Sequence, residues 1–303
     1  LYTRDITDFI LRNDIDITQG GAEGDFEWQN SGDLTTSGFE ISVNYDIIQK
    51  NDLTYNSGIL FSSYKSELNE YILEAGETRG NLGSPGQNST DMILVRSGEE
   101  IGQIWGPVFS GEIVNGVPQF VDINGDGQLI TGQDQALNPD ADFAVLGNGI
   151  PDFELGWTNN ITYKNWTLNA FFRGAFGHSL VNTFRAFYEP RISSQVSYNL
   201  VNTKYADDNI TSAQFSSLYV EKADFFKLDN LSIGYTFDLK DSKYLEGVRI
   251  TGSGQNLFTI TNYSGSDPEP SLSDFGDVLA PGIDRRTNYF SSRTFTLGLN
   301  INF

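Results

Sequence analysis

The sequence predicts an all-β chain that forms part of a transmembrane antiparallel β-barrel, and three observations predict it. Apolar residues recur with a period of two in segment after segment, the signature of strands with one apolar and one polar face. Short and long connections alternate strictly along the chain, as they do where strands are joined by short turns at one membrane surface and long loops at the other. The chain closes on "RTFTLGLNINF" (293–303), an alternating run that ends on phenylalanine.

The elements follow in order. The first segment, 2–11, alternates poorly, whereas 37–47 puts Phe39, Ile41, Val43, Tyr45 and Ile47 on one face. Segment 53–66 does so with Leu53, Tyr55, Ile59 and Phe61, and 153–163 with Leu155, Trp157, Ile161 and Tyr163. Trp166, Leu168, Ala170, Phe172 and Phe176 mark 166–177. In 224–238 the apolar phase switches from Phe226 and Leu228 to Leu231, Ile233, Tyr235 and Phe237, which predicts a bulge near Asp229 and Asn230. Strands at 247–259 and 293–303 complete the set. In the last of these Phe295, Leu297, Leu299, Ile301 and Phe303 share one face, the pattern by which barrel proteins are recognised for insertion into the outer membrane. Convincing helical periodicity is absent.

Short connections fall at 49–52, 164–165 and 239–247, and long ones at roughly 12–36, 68–152, 178–223 and 260–291. With a periplasmic C-terminus, strand parity requires that 68–152 contain no membrane crossing or two. "DMILVRSGEEIGQIWGPVF" (91–109) has the form of a hairpin that could supply two, so the count is eight or ten strands. Tyr45, Trp157, Tyr163, Trp166 and Tyr235 suit the two membrane interfaces. The alternate polar positions Asn44, Asn160, Thr162, Asn169 and Arg173 are candidates to line the lumen.

Composition bounds the chemistry. The 303 residues carry a formal net charge of -21 with no basic patch, which argues against nucleic acid as a partner. There is no cysteine, so disulfides, thiolate metal sites and cysteine nucleophiles are excluded together. No apolar stretch is long enough for a transmembrane helix, and no signal peptide opens the chain. Beginning at Leu1, the sequence reads like the later part of a longer polypeptide.

One constellation is metal-like. In "DINGDGQLITGQD" (122–134), Asp122, Asn124 and Asp126 stand at the first, third and fifth positions of an EF-hand-type loop. Gly127 allows the sharp turn, and the carbonyl of Gln128 would supply the seventh position. Hard oxygen donors at this spacing favour a structural calcium, although Gln133 replaces the usual acid at the twelfth position and Asp134 follows one place later. A hydrogen-bonded turn without metal is the alternative.

No catalytic constellation emerges, so the chain does not read as an enzyme. His178 is the only histidine and cannot build a zinc site alone, and it is expected to cap a strand at a loop boundary. The acid pairs Asp207 with Asp208 and Asp140 with Asp142 read as solvated loop charge rather than a glycosidase pair. "GSGQNLF" (252–258) lies in a strand pattern with no helix after it, unlike a phosphate loop. Trp105, Phe109, Phe184, Phe187, Tyr188 and Tyr263 sit in long loops, where they could stack on sugars, meet a partner or pack on each other.

Several segments resemble the SusC/RagA-type TonB-dependent outer-membrane transporters of Bacteroidetes. They are "NSGDLTTSGFEISV" (30–43), "RSGEEIGQIWGPVFSG" (96–111), "DINGDGQ", "VLGNGIPDFELGWTNNITYKNWTLNAFFRGAFG" (145–177), "YVEKADFFKLDNLSIGYTF" (219–237), "VRITGSGQNLFTITNYSGSDPE" (248–269) and "RTFTLGLNINF" (293–303). The resemblance implies that residues 1–303 are the C-terminal part of a barrel of about 22 strands. The plug and other N-terminal parts, through which TonB would act, are absent from this chain. It further implies import of large nutrients, oligosaccharides or peptides, across the bacterial outer membrane, with a SusD-like surface lipoprotein as lid and outer-membrane lipid around the wall. Two other classes compete: a barrel serving as a structural or secretion-associated platform without import, and a secreted acidic calcium-binding glycan module. The final alternating strand speaks against the secreted module.

Overall fold

The computed structural model describes residues 1–14, 26–84, 87, 89–192, 199–239, 244–269, 274 and 276–303. Eight long strands form one antiparallel wall in chain order: β1 (Tyr2–Asp14), β2 (Phe26–Lys50), β3 (Leu53–Tyr71), β4 (Phe153–Tyr163), β5 (Trp166–Phe176), β6 (Phe225–Asp238), β7 (Gly247–Thr261) and β8 (Thr294–Asn302). Each pairs with its neighbours in sequence, and β1 and β8 pair on one side. Strands β4 and β5 are 11 residues each, the length of one tilted bilayer crossing. Strands β2 and β3, with 25 and 19 residues, continue well beyond it. The expected long connection at 12–36 is therefore strand from Phe26 onward, and its residues 15–25 lie outside the described residues, as do residues 240–243 of the short connection at 239–247.

Register turns the period-two pattern into two chemically distinct faces. One row runs Val43, Ile59, Trp157, Phe172, Leu228 and Phe258 across six strands. The adjacent row on the opposite face runs Asp46, Asn56, Asn160, Asn169, Ser232, Ser253 and Thr296. Phe295, Leu297 and Leu299 are 75%, 81% and 65% exposed, and such a continuous apolar face on a folded chain is a surface that lipid covers. The predicted lumen residues Asn44, Asn160, Thr162, Asn169 and Arg173 all fall on the opposite, polar face.

At the short-turn end, Tyr163 pairs with Trp166 and Trp166 with Tyr235, whose rings lie 4.7 Å apart, forming an aromatic girdle. Trp157 is not part of it. It stands six residues from that turn, in mid-strand, and donates its indole N–H to Ser57 Oγ at 3.0 Å.

Two irregularities account for the uneven patterns in the sequence. The pairing of β1 with β2 shifts on both sides of Phe9, and Asp8 has φ of 54°, which is why the first segment alternates poorly. The expected bulge is present: Phe172 of β5 faces Leu228 and Phe171 faces Asn230, leaving Asp229 as the extra residue of β6, and β7 bulges beside it with Asn256 and Leu257 opposite Asp229 and Asn256 at φ of 52°.

The 91–109 segment does not cross the membrane. Asp91–Val95 and Gln103–Gly106 instead belong to a separate four-stranded sheet with Glu77–Asn81 and Ala144–Asn148, and Glu99–Glu100 between them only pairs with Glu67 and Leu68 of β3, so the wall has eight long strands rather than ten. Met92, Ile93 and Leu94 are buried within it, and a strand covered on both sides has no polar face to show.

The largest apolar core lies in the connections and not in the wall. Leu82, Met92, Ile93, Ile104, Val181, Phe215, Tyr219 and Ile283 gather there from three of the long connections, 68–152, 178–223 and 260–291. A three-stranded sheet of Val220–Lys222, Ser179–Asn182 and Ile283–Asp284 joins two of those loops, the last pair being parallel. Where the last long loop passes the end of the 68–152 connection, Gly149 and Gly282 meet backbone to backbone, and a Cβ on either would collide with the other.

These two faces make a direct prediction for the last strand. In the complete protein, Leu297→Arg on the apolar face should lower stability by about 2–4 kcal/mol if it lies at the bilayer midplane. Thr296→Arg on the polar face should leave stability nearly unchanged, both measured by unfolding in detergent or bilayers.

Candidate functional site

The site that the fold builds is a loop layer seated over one end of the wall and touching its polar face. Three sets of buried charges hold the layer together. In the first, Arg185 on the short helix α1 (Thr183–Tyr188) donates to Glu189 at 3.0 Å and to Glu221 at 2.9 Å. Asn182 caps the helix and also donates to Glu221, while Ser264 donates to both of its carboxylate oxygens. The guanidinium lies over the rings of Tyr205 and Tyr219. Burial acts to raise the Glu221 pKa, yet the hydrogen bonds from Arg185 and Ser264 hold it below the ordinary glutamate value.

In the second set, Asp284 accepts from Tyr263 Oη at 2.9 Å, from Ser266 N and Oγ, and from Asn288 Nδ2. Here burial outweighs the donors and the carboxyl pKa is raised. In the third, Arg79 bridges Glu77 at 2.5 Å and Asp277 at 3.1 Å, while Arg285 donates to Asp274 and to the Asn81 carbonyl.

Most of the loop aromatics serve this packing. Tyr263 and Phe187 are buried, Trp105 stacks on Phe143 and donates to the Ala136 carbonyl, and Phe187 carries the Arg286 guanidinium at 4.1 Å. Phe184 is the partly open one, at 40%. His178 is not a surface cap. It is buried, with Nε2 2.9 Å from the Pro268 carbonyl and its ring edge-on to Phe225, so it ties the segment after β7 to the wall.

The calcium-like segment forms a tight loop of side-chain-to-backbone bonds. Asp122 accepts from the amides of Gly125 and Gly127 at 2.7 and 2.9 Å, Asn124 from Asp126, and Asp126 from Gln128. Gly125 and Gly127 have φ of 75° and 82°, so glycine is required where the chain turns. Asp134 sits on a separate 3₁₀ turn and accepts from the Gln135 amide. Among the described residues, no three Asp, Glu, His or Cys side chains converge in a metal-holding group.

One residue here was missed in the sequence. Asp142 is fully buried and accepts from the amides of Ile123 at 2.7 Å and Ile130 at 2.8 Å, clamping both ends of the loop. Its neighbour Asp140 fits the reading of solvated charge; Asp142 does not.

An apolar recess of about 550 Å³ opens where the polar face of β1 to β3 meets the loops, lined by Ile6, Phe9, Leu34, Tyr64, Ile101 and Leu279. Farther along the wall, Arg173 and Lys227 face each other across β5 and β6, in contact with Asp229 and with Glu269 from the last long loop.

A wall with an apolar outer face, a polar inner face and a packed loop layer at one end defines a class, the transmembrane β-barrels. Within it, the chain is similar to the SusC/RagA type over nearly all of its length. TonB-dependent receptor P3 of Formosa agariphila is 29% identical over 306 aligned residues, covering 91% of this chain and 29% of that protein. TonB-dependent receptor SusC of Bacteroides thetaiotaomicron is 25% identical, covering 91% and 27%. Among solved structures, the RagAB peptide transporter superposes with a TM-score of 0.73 at 18% identity, covering 99% of this chain and 32% of that one. The RagAB importer in its closed-closed state does so with 0.74. This chain spans less than a third of the length of the relatives it matches. No protein-family model matches the sequence.

The loop layer should respond to charge and to acid. Arg185→Met leaves Glu189 and Glu221 buried without their cation, a loss of about 3–5 kcal/mol read as faster hydrogen exchange over 178–189 and 262–266. Because the Glu221 pKa is lowered by folding, its contribution is full above the unfolded-state value and fades as pH falls through the folded one. Asp284, with its pKa raised, runs the opposite way, favouring the folded layer as it takes up a proton. Glu221→Gln should therefore remove acid loosening from the exchange profile, and Asp284→Asn should not.

Proposed function

We propose that residues 1–303 are the C-terminal part of the barrel of a TonB-dependent outer-membrane importer, in which the polar face lines the lumen and the loop layer forms the extracellular mouth. The plug and the TonB-contacting segment belong to the rest of the complete polypeptide. On this reading the C-terminus is periplasmic, a SusD-like lipoprotein covers the mouth, and the cargo is an oligosaccharide or peptide too large for a porin. The protein moves its cargo and breaks no bond in it. The observation that carries the reading is the pairing of one continuous apolar face with long connections gathered at one end, together with similarity to TonB-dependent receptors across nine-tenths of the chain.

Deleting the complete gene in its host should abolish growth on at least one large oligosaccharide or peptide source, and loss of TonB should reproduce the defect. A surface lipoprotein should co-purify from the membrane. Normal growth on every such source, with no effect of TonB loss, would instead favour a barrel that acts as a structural platform.

From the donor spacing at 122–128 we also propose a structural calcium, with Asp122, Asn124 and Asp126 and the carbonyl of Gln128 as donors and Asp134 required to swing in from its separate turn. The ion would stiffen this connection and take no part in transport chemistry. Calcium should then protect residues 107–152 from protease, and Asp122→Asn with Asp126→Asn should abolish that protection. Equal cleavage with calcium and with chelator would retire the ion and leave a hydrogen-bonded turn.

A further inference from the structure

Arg173 and Lys227 are directly opposite one another on β5 and β6, both on the polar face. Like charges in that arrangement repel, and the pair is stable only with anions between them. Asp229, the bulged residue, supplies one: its carboxylate is 3.3 Å from Arg173 Nε and 3.9 Å from Lys227 Nζ. Two cations against this one carboxylate leave one positive charge on the wall. Glu269, reaching in from the loop after β7, neutralises it by bonding to Arg173 and to Lys227, the latter at 2.5 Å.

Glu269 is also placed as a removable group. Its neighbour Pro268 is held by the His178 contact, so the carboxylate hangs from an anchored point in the loop. On either side of it the wall and loop leave small cavities, of about 160 Å³ toward Leu60 and Phe171 and about 140 Å³ toward His178 and Leu180. His178 Nδ1 is buried with no partner beside the second cavity. Arg173 keeps 36% of its side chain accessible. Glu269 lines both recesses and Arg173 the first, so withdrawal of Glu269 would leave two cations beside open space, in a chain whose net charge is -21.

We propose that Arg173 and Lys227 form a carboxylate-binding site on the inner wall, occupied in the resting state by Glu269 and taken over by a carboxylate of the cargo. The assignment of the polar face as lumen rests on the importer reading. Arginine presents a planar fork that receives a carboxylate through two parallel hydrogen bonds, and lysine adds a point charge beside it. Exchange of one carboxylate for another conserves charge at the centre. Cargo binding therefore frees the Glu269 segment from the wall without exposing an unpaired cation.

The test uses the complete protein in detergent, with glutarate as a probe for a carboxylate and glutaramide as its neutral counterpart. Millimolar glutarate should open residues 262–269 to protease in the unmodified protein, and glutaramide should not. Glu269→Gln removes the internal competitor, so glutarate should bind about tenfold or more tightly than to the unmodified protein. Adding Lys227→Gln to that variant should abolish binding. Protection unchanged by glutarate, with no gain in affinity in Glu269→Gln, would overturn the proposal and leave a fixed salt bridge. Neither readout needs TonB or energised import, so a failure of the importer reading appears in the growth experiment and not here.

Discussion

Inside a hydrocarbon layer a backbone amide has no partner except another strand, and an unsatisfied one costs several kcal/mol. The wall obeys that constraint from β1 to β8 with each strand paired to its sequence neighbour. Interruptions of the ladder sit where polar groups can reach them. The shift at Ile48 lies three residues before the short turn, and those around Phe9 lie in the part of β1 that meets the loops. The Asp229 bulge falls in the body of the wall, but its side chain is spent on the polar face, within the Arg173 and Lys227 pair. The irregularity that would be a defect in lipid becomes the feature that brings an acid to two cations.

The same constraint inverts the usual distribution of apolar residues. The wall turns its large side chains outward, so the interior that most proteins build under a sheet is built here from connections. Loops of this kind carry many polar groups, and the layer meets them with charges that are paired and hydrogen-bonded on nearly every side, as around Glu221 and Asp284. Buried charges of this type define a single arrangement more than they add stability, since each tolerates few alternative partners.

How much of this was legible in the sequence follows from where lipid imposes a pattern. Strands β4, β5 and β8 could be placed closely because nearly every outward residue is apolar, the exception being Asn159, whose Oδ1 accepts from the Tyr55 hydroxyl. The bulge at Asp229 was legible because an extra residue flips the phase of everything after it. Residues 26–36 extend β2 beyond the length of one bilayer crossing, where no alternation is enforced and the sequence carries no strand signature. The hairpin at 91–109 misled for the opposite reason: "MILV" is apolar because it is covered by other loops, and a run buried on both sides looks the same in either setting. At the mouth, the turn residues Asp122, Asn124, Asp126 and Gly127 were visible through local spacing, but Asp142 and His178 act through partners 12 to 90 residues away, which no local pattern encodes.

The parallel pairing of Val181 and Asn182 with Ile283 and Asp284 bears on the order of assembly. These partners lie about a hundred residues apart, and contacts so distant in sequence close late and slowly. The wall can zip from neighbour to neighbour, hairpin by hairpin, while this clasp waits for nearly the whole chain. A nascent wall thus acquires its membrane surface first and its packed loop layer last, and release before the clasp closes would leave that layer unfolded.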